Sequence, residues 1–96
     1  MKIDFSKIGG ELTVALDGRL DTVTAPELEA FLGEKLGTAD LVTFDCEKLI
    51  YISSAGLRVL LTVHKRMKGA MKLIGVSELV MEVLMMTGFA DIWVIE

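Results

Sequence analysis

Two adjacent serines, Ser53 and Ser54, are the residues whose type and position best suit chemistry. They follow an apolar stretch that ends near Ile52, and they open an amphipathic segment that runs to about Lys68. A hydroxyl at the start of a helix lies beside unpaired backbone N–H groups and the positive end of the helix dipole. That position suits a capping serine, and it equally suits a serine that accepts a phosphate. Ser54 therefore has two interpretations, a helix cap or a phosphorylation site.

Helical geometry favours Ser54 as the accessible hydroxyl. At about 100° per residue, Ser54 shares the solvent side with Arg58 and Leu61, whereas Ser53 points toward the buried side. A phosphate on Ser54 would add about −1.5 to −2 charges, which Arg58 one turn later would help to accommodate. Gly56 lacks a side chain, so we expect a partner backbone to approach closely there. The predicted buried stripe consists of Gly56, Leu60, Val63 and Met67, with Val59 and Leu57 at its margins.

The usual catalytic and cofactor-binding patterns are missing. The chain has no Gly-x-Gly dinucleotide loop and no Walker-type Gly-Lys-[Ser/Thr] sequence. One cysteine and one histidine cannot supply a zinc site. The histidine, His64, lies ten positions after Ser54 on the same predicted helix. About 15 Å therefore separates them along the axis, too far for a serine–histidine hydrogen bond. We therefore expect that the protein is not an enzyme and that it binds no cofactor and no metal ion.

The other reactive residue types are interpreted as structural. His64 falls at the edge of the apolar stripe, where a packing role is expected. Met81, Met85 and Met86 of the last predicted helix are expected to fill the core and its rim. Scattered carboxylates are interpreted as solvated turn residues and helix caps, namely Asp17, Asp21, Asp45 and Glu47.

Hydrophobic periodicity predicts the element order β-β-α-β-α-β-α-β. Two alternating strands flank a Gly9-Gly10 turn, and a second turn covers 17–21. A capping box of Thr24 and Glu27 begins the first helix, which Gly37 ends. The other predicted elements are a buried strand at 41–44, a helix from about Ser54 to Lys68, a strand at 71–76, a helix from Ser77 to Gly88 and a strand at 92–95. The predicted fold class is α/β, a single domain with a mixed β-sheet packed with helices.

Composition excludes several functional classes. With 96 residues, 52% of them hydrophobic, the chain is expected to form one folded domain. A net charge of −4 argues against non-specific nucleic-acid binding. No apolar run approaches the roughly 20 residues that span a bilayer, so we expect no membrane insertion. The lone Cys46 and the lack of a signal-peptide pattern favour the cytoplasm.

Three features together resemble the STAS domain. They are the segment from Tyr51 to Leu61, the turn Gly18-x-Leu20-Asp21 followed by Thr24 and Ala25, and the order of elements. More narrowly, the chain resembles the stand-alone bacterial anti-sigma factor antagonists. The resemblance covers the whole chain, so residues 1–96 are predicted to be one STAS domain without an extra transporter or sensor segment.

The resemblance implies a protein-binding switch. In this family the unphosphorylated antagonist binds an anti-sigma serine kinase and thereby frees a sigma factor. The kinase phosphorylates a serine at the start of the second helix, which breaks the complex, and a metal-dependent serine phosphatase acts on the phosphoprotein to restore it. The acceptor matches Ser54. Ser53 replaces the usual aspartate and is an alternative acceptor, and Ala55 replaces the second hydroxyl residue. The predicted partner-binding residues are Asp21, Thr24, Ser53, Ser54, Gly56, Arg58 and Leu61.

Other functions remain open from sequence. The chain is alternatively an accessory STAS subunit that binds a transporter ATPase or a signalling scaffold without phosphorylation, and the serine in place of aspartate at position 53 favours this interpretation. A nucleotide-binding module is a third hypothesis, although the chain has no phosphate loop. A free-standing hydrolase is the last, and the distance between Ser54 and His64 disfavours it.

Overall fold

A five-stranded mixed sheet forms the centre of the structure, a computed structural model that describes residues 1–96. The strands lie in the order β1 (Lys2–Ile8), β2 (Glu11–Leu20), β3 (Leu41–Ile52), β4 (Met71–Ile74) and β5 (Val94–Ile95). β1 pairs antiparallel with β2 across the Gly9-Gly10 turn, and every other pair is parallel. The predicted hairpin and mixed sheet are both confirmed.

Three helices connect the parallel strands. They are α1 (Ala25–Lys35), α2 (Ser54–Arg66) and α3 (Glu78–Met86), and a 3₁₀ turn at Phe89–Asp91 follows α3. Parallel strands that neighbour one another in chain order are joined by right-handed crossovers, which place all three helices on one face of the sheet. α1 and α2 therefore begin side by side, just beyond the ends of β2 and β3. The predicted element order is confirmed, with the 3₁₀ turn as an addition.

One hydrophobic core joins the sheet to the helices. It contains 22 buried residues drawn from β2, β3, β4, all three helices and the loops, and Phe44 at its centre is fully buried. On α2 the buried residues are Gly56, Leu57, Val59, Leu60 and Val63, as the helical wheel predicts, while Met67 is only half-buried. α2 is thus anchored by one face, and its other face is left in solvent. None of the three helices is long and apolar enough to cross a membrane.

The predicted turn at 17–21 is wrong, because β2 continues to Leu20. The matching strand β3 does not end near Asp45 but continues to Ile52, so that Leu20 pairs with Ile52. Register shifts interrupt the ladder between Ala15 and Asp17 and between Gly18 and Arg19. Such bulges break the alternation of polar and apolar residues that marks a strand in the sequence. The extension carries both strands up to the serine pair.

The prediction that methionines of the last helix fill the core is also wrong for two of them. Met85 and Met86 are 65% and 86% exposed, and Met81 is half-buried. α3 buries Val80 and Leu84 and packs half-buried Val83 against the core, whereas Leu79, Met85 and Met86 lie in solvent. Near the C-terminus, the 3₁₀ turn ends at Asp91, and of the strand predicted at 92–95 only Val94–Ile95 pairs as β5.

Candidate partner-binding site

The structure gives the two serines different tasks. Ser53 is the N-cap of α2: its backbone is extended and its Oγ accepts a hydrogen bond from the Gly56 N–H at 3.5 Å. The Ser53 N–H donates to the Leu20 carbonyl at 2.9 Å, which fixes the start of α2 to the end of β2. Ser54 is the first helical residue, is exposed, and has no hydrogen-bond partner for its Oγ within the chain. The interpretation of Ser54 as the helix cap is therefore wrong.

The surroundings of Ser54 favour a negative charge. α2 has no acidic residue in its first turn or anywhere else along its length. Its solvent side carries Arg58, Lys65 and Arg66, none of which forms an ion pair within the chain. The positive end of the helix dipole adds to this field within the first turn. A phosphate on Ser54 would meet attraction from its own helix and no nearby carboxylate on it.

A second corner of the site is built by Asp21 and Thr24, between β2 and α1. The Thr24 hydroxyl donates to the Arg19 carbonyl at 2.7 Å and accepts from the Asp21 N–H at 2.9 Å. Asp21 Oδ1 accepts from the N–H groups of Val23 and Thr24 at 3.0 and 3.1 Å. The pKa of Asp21 lies below its ordinary value, chiefly because its carboxylate accepts the hydrogen bond from the Thr24 N–H. The Val23 N–H, the Thr24 hydroxyl and the charge of Arg19 lower the pKa further, and desolvation opposes them.

These bonds overturn the predicted capping box. Thr24 occupies the N-cap position of α1, but its side chain makes no cap hydrogen bond. Its hydroxyl is instead used to close the turn that leaves β2, and Asp21 satisfies the backbone N–H groups ahead of the helix. The sequence contains the Thr-x-x-Glu motif of a capping box, but the Thr24 hydroxyl bonds to the backbone of Arg19 and Asp21 and not to the first turn of α1. Asp21 is thus a turn residue, one of the two roles that the sequence interpretation gave it.

Parallel pairing brings the two corners together. Because Leu20 lies opposite Ile52, Asp21 follows β2 at the place where Ser53 follows β3. A shallow groove of about 170 Å³ then separates the first turns of α1 and α2. Its lining residues are Thr22, Ala25, Pro26, Glu29, Ala55, Arg58 and Val59. Asp21, Thr24, Ser53, Ser54 and Arg58 thus lie on one edge of the sheet, although more than 30 positions separate the first from the last.

Gly56 does not belong to this surface, contrary to the expectation that a partner backbone approaches it. Gly56 is buried, and a Cβ added there would lie 2.7 Å from Leu20 Cγ and 3.0 Å from Ile52 Cγ1. The missing side chain lets α2 sit close against the ends of β2 and β3. Its role is packing within the core, and that packing sets the position of the serines.

Two pairs of residues at the site were missed by sequence reasoning. Arg19 lies with its guanidinium carbon 4.3 Å from the Tyr51 ring centroid and its Nε 3.8 Å from Asp21 Oδ2. Thr87 and Phe89, just after α3, line a groove of about 260 Å³ with Ser54, Leu57, Arg58 and Leu61. Residues 19 and 51 are paired only through the unexpected strand extension, and Thr87 and Phe89 are distant in sequence. No local pattern could have identified them.

The other residue types with possible chemistry lie away from Ser54 or are buried. His64 is half-buried near the far end of α2, with its ring 6.4 Å from that of Trp93, in agreement with a packing role. No group of three or more His, Cys, Asp or Glu residues could hold a metal ion. Cys46 is buried, and burial, assisted by the charge of Asp45, raises the pKa of its thiol to about 12.

Comparison with known proteins now identifies the family. The model of the STAS domain matches residues 2–96. The chain belongs to the STAS domain family. A protein of Bordetella bronchiseptica, BtrV, named as a candidate anti-sigma factor antagonist, is 37% identical over 97% of this chain and 84% of its own length. The resemblance noted from the sequence is confirmed.

Solved structures confirm the fold of this STAS domain. An anti-sigma factor antagonist from Mycobacterium paratuberculosis superimposes with a TM-score of 0.87 at 18% identity, covering 98% of this chain and 83% of that one. The Bacillus cell fate determinant SpoIIAA in its phosphorylated form gives a TM-score of 0.74 at 15% identity, covering 99% of this chain and 91% of that one. At these identities the likeness concerns the fold alone.

Proposed function

We propose that this STAS domain is an anti-sigma factor antagonist whose binding to an anti-sigma serine kinase is controlled by phosphorylation of Ser54. The main support for the proposal is that the two serines have different roles. Ser53 caps α2, and the Ser54 hydroxyl is exposed and makes no hydrogen bond within the chain. The name of the Bordetella relative supports the antagonist function. The proposed setting is the cytoplasm, and the domain is a regulator and a substrate, not an enzyme.

In the unphosphorylated state, the kinase contacts the edge where α1 and α2 begin. Asp21, with its lowered pKa, supplies a fixed negative charge, and Arg58 supplies a positive one. Thr24 and Ser53 hold the two corners in register, and half-buried Leu61 offers an apolar contact one helical turn beyond Arg58. Occupation of the kinase by this surface releases the sigma factor that the kinase otherwise holds.

Phosphorylation then reverses the sign of the surface around Ser54. The Ser54 Oγ attacks the γ-phosphorus of ATP bound to the kinase, a new Oγ–P bond forms, and the bond to the β-phosphate oxygen breaks with release of ADP. The Oγ–H proton passes to a base of the kinase, since no base of this chain contacts Ser54. The added charge of about −1.5 to −2 weakens the contact while α2 keeps its cap. A serine phosphatase hydrolyses the phosphoester and returns the binding form.

The replacement of the family aspartate by Ser53 is compatible with this mechanism. Serine and aspartate are both strong N-cap residues, so Ser53 preserves the local geometry that presents the next hydroxyl. Ser53 itself is a poorer acceptor, because its Oγ is half-buried and turned toward the Gly56 N–H. The serine at position 53 therefore no longer favours an accessory subunit that is not phosphorylated.

The test is phosphorylation by the cognate kinase, followed by intact-mass and peptide mass spectrometry. We expect one phosphate on the wild-type protein, one on Ser53→Ala and none on Ser54→Ala. Ser54→Asp is expected to bind the kinase at least about tenfold more weakly in calorimetry, with an unchanged circular dichroism spectrum. Persistent labelling of Ser54→Ala would refute the site. Recovery of a transporter ATPase in place of a kinase in a pull-down would favour the accessory-subunit function.

A further inference from the structure

The solvent face of α3 is unusual for a helix with no neighbour on that side. It presents two acids, Glu78 and Glu82, beside three exposed apolar side chains, and it has no basic residue. Leu79 is 53% exposed, Met85 65% and Met86 86%. Methionine side chains adapt to irregular surfaces, and clustered exposed apolar groups mark interaction sites. Neither glutamate forms an ion pair within the chain.

The solvent face of α2 has the opposite sign. Arg58, Lys65 and Arg66 are exposed and lack an intramolecular ion-pair partner, and half-buried Leu61 lies among them. α2 contains no acid, just as α3 contains no base. The two helices therefore carry complementary faces, each combining charge with an apolar contact.

The face of α2 borders a groove that ends against the residues directly after α3, whereas Glu78, Glu82 and Met85 of α3 border a second groove. Ser54, Leu57, Arg58 and Leu61 of α2 line one wall of the first groove, and Thr87 and Phe89 line the other. Met86, the most exposed of the three apolar residues on α3, comes directly before Thr87. α2 and α3 also lie on the same side of the sheet, so their solvent faces belong to one surface of the domain.

We propose that two copies of this chain form a weak symmetric dimer in which α3 of each copy docks on α2 of the other. An isologous interface needs both halves of the contact on one continuous patch. The domain provides them on one side of the sheet, since α2 supplies a basic half, α3 supplies an acidic half, and Thr87 and Phe89 lie between the two. In the proposed dimer Arg58 of each copy pairs with Glu82 of the other, and Leu61 packs against Met86.

The dimer goes beyond the proposed function and does not depend on it. Because the dimer covers Ser54, it has one consequence under the proposed function: a second copy and the kinase compete for the same surface, and the kinase cannot phosphorylate the dimer. A negative charge on Ser54 faces the acidic α3 of the second copy, so Ser54→Asp is expected to weaken the dimer.

Sedimentation velocity of the purified domain tests the proposal without any kinase. We expect the wild-type weight-average sedimentation coefficient to rise with concentration up to the millimolar range, and to rise less in high salt because exposed charges are screened. Arg58→Glu and Glu82→Lys each create two like-charge contacts per symmetric dimer, and each is expected to weaken dimerisation at least about tenfold. Glu34→Lys, on the exposed face of α1, is the matched control and retains dimerisation.

The decisive arm is an equimolar mixture of Arg58→Glu and Glu82→Lys. In a twofold dimer of these two variants, both cross-contacts again join opposite charges, so the mixture is expected to associate about as strongly as the wild type although each variant alone associates more weakly. A wild-type domain that stays monomeric at millimolar concentration overturns the proposal, and so does failure of the mixture to associate. Loss of dimerisation in Glu34→Lys would also overturn it, because the interface would then lie on α1. All three positions are exposed, and circular dichroism confirms that each variant is folded.

Discussion

Replacing each serine of the pair by alanine separates the fold-stabilising hydroxyl from the free one. The Ser53 Oγ satisfies the Gly56 N–H, one of the unpaired donors at the start of α2. Loss of an N-cap side chain costs about 0.5–2 kcal/mol. The donor–acceptor distance of 3.5 Å is longer than a strong hydrogen bond, so the lower half of that range applies. We expect Ser53→Ala to lower the free energy of unfolding by about 0.5–1 kcal/mol.

Ser54→Ala is expected to leave that free energy unchanged or slightly raised. The Ser54 hydroxyl makes no hydrogen bond to lose, and alanine has the higher helix propensity by up to about 0.5 kcal/mol. Two neighbouring substitutions of the same chemistry should therefore differ by roughly 1 kcal/mol.

Urea denaturation followed by far-UV circular dichroism measures the difference, with the m-value checked for each variant. In a domain of this size, 1 kcal/mol corresponds to a shift of about 4–8 °C in Tm, well above experimental error. Ser53→Asp is the control, since aspartate also caps helices and should restore wild-type stability. A larger loss in Ser54→Ala than in Ser53→Ala would show that Ser54 serves the fold, and the reasoning that assigns it to a partner would fail.

Two further substitutions test the core beneath the site. Gly56→Ala is expected to destabilise the fold by about 1–2 kcal/mol, because its Cβ would lie 2.7 Å from Leu20 Cγ and overpacking outweighs the propensity gain. Gly33→Ala in α1, where a Cβ meets open space, should instead stabilise by about 0.5–1 kcal/mol, and equal effects in the same melts would contradict the packing argument. Cys46 keeps its proton to a pKa of about 12 when folded but releases it from the ordinary value of 9.0 when unfolded. Between pH 9 and 12 the unfolded state binds fewer protons, so the wild type should lose about 1.4 kcal/mol per pH unit relative to Cys46→Ala, and parallel stability–pH curves would refute the shift.

The element order and the helix faces were predictable because each depends on local periodicity. The stripe of α2 repeats at helical spacing, and the Gly9-Gly10 turn is recognisable from its neighbours alone. The paired extensions of β2 and β3 were not predictable in this way. Bulges in β3, between Asp45 and Lys48 and between Leu49 and Tyr51, disturb the alternation there, and the pairing of Arg19 with Tyr51 joins residues that are far apart in sequence.

The position of the candidate site at the start of α2 could be predicted from the sequence, but the hydrogen bonds of its serine and threonine side chains could not. Ser54 was selected by a helical wheel and by family register, and the structure leaves its hydroxyl exposed. The cap assignments failed at both helices, since Ser53 caps α2 and the Thr24 hydroxyl closes a turn. A cap is decided by one or two hydrogen bonds among several competing partners, and residue type alone does not rank those partners.

The separation of the two hydroxyls determines how the proposed phosphorylation of Ser54 would act on the fold. If the modified residue were also the cap, addition of a phosphate would rebuild the first turn of α2, and partner binding would change together with the fold. Here the cap belongs to Ser53, and Ser54 stands beside Arg58 in solvent. A charge of about −1.5 to −2 placed on Ser54 is stabilised by the helix dipole and cancels half or more of the three positive charges along α2. Phosphorylation should therefore leave the melting temperature of the domain unchanged or raised while it abolishes contacts that require a basic α2, and a phosphorylated domain that melts lower than the unmodified one would contradict this separation of fold and switch.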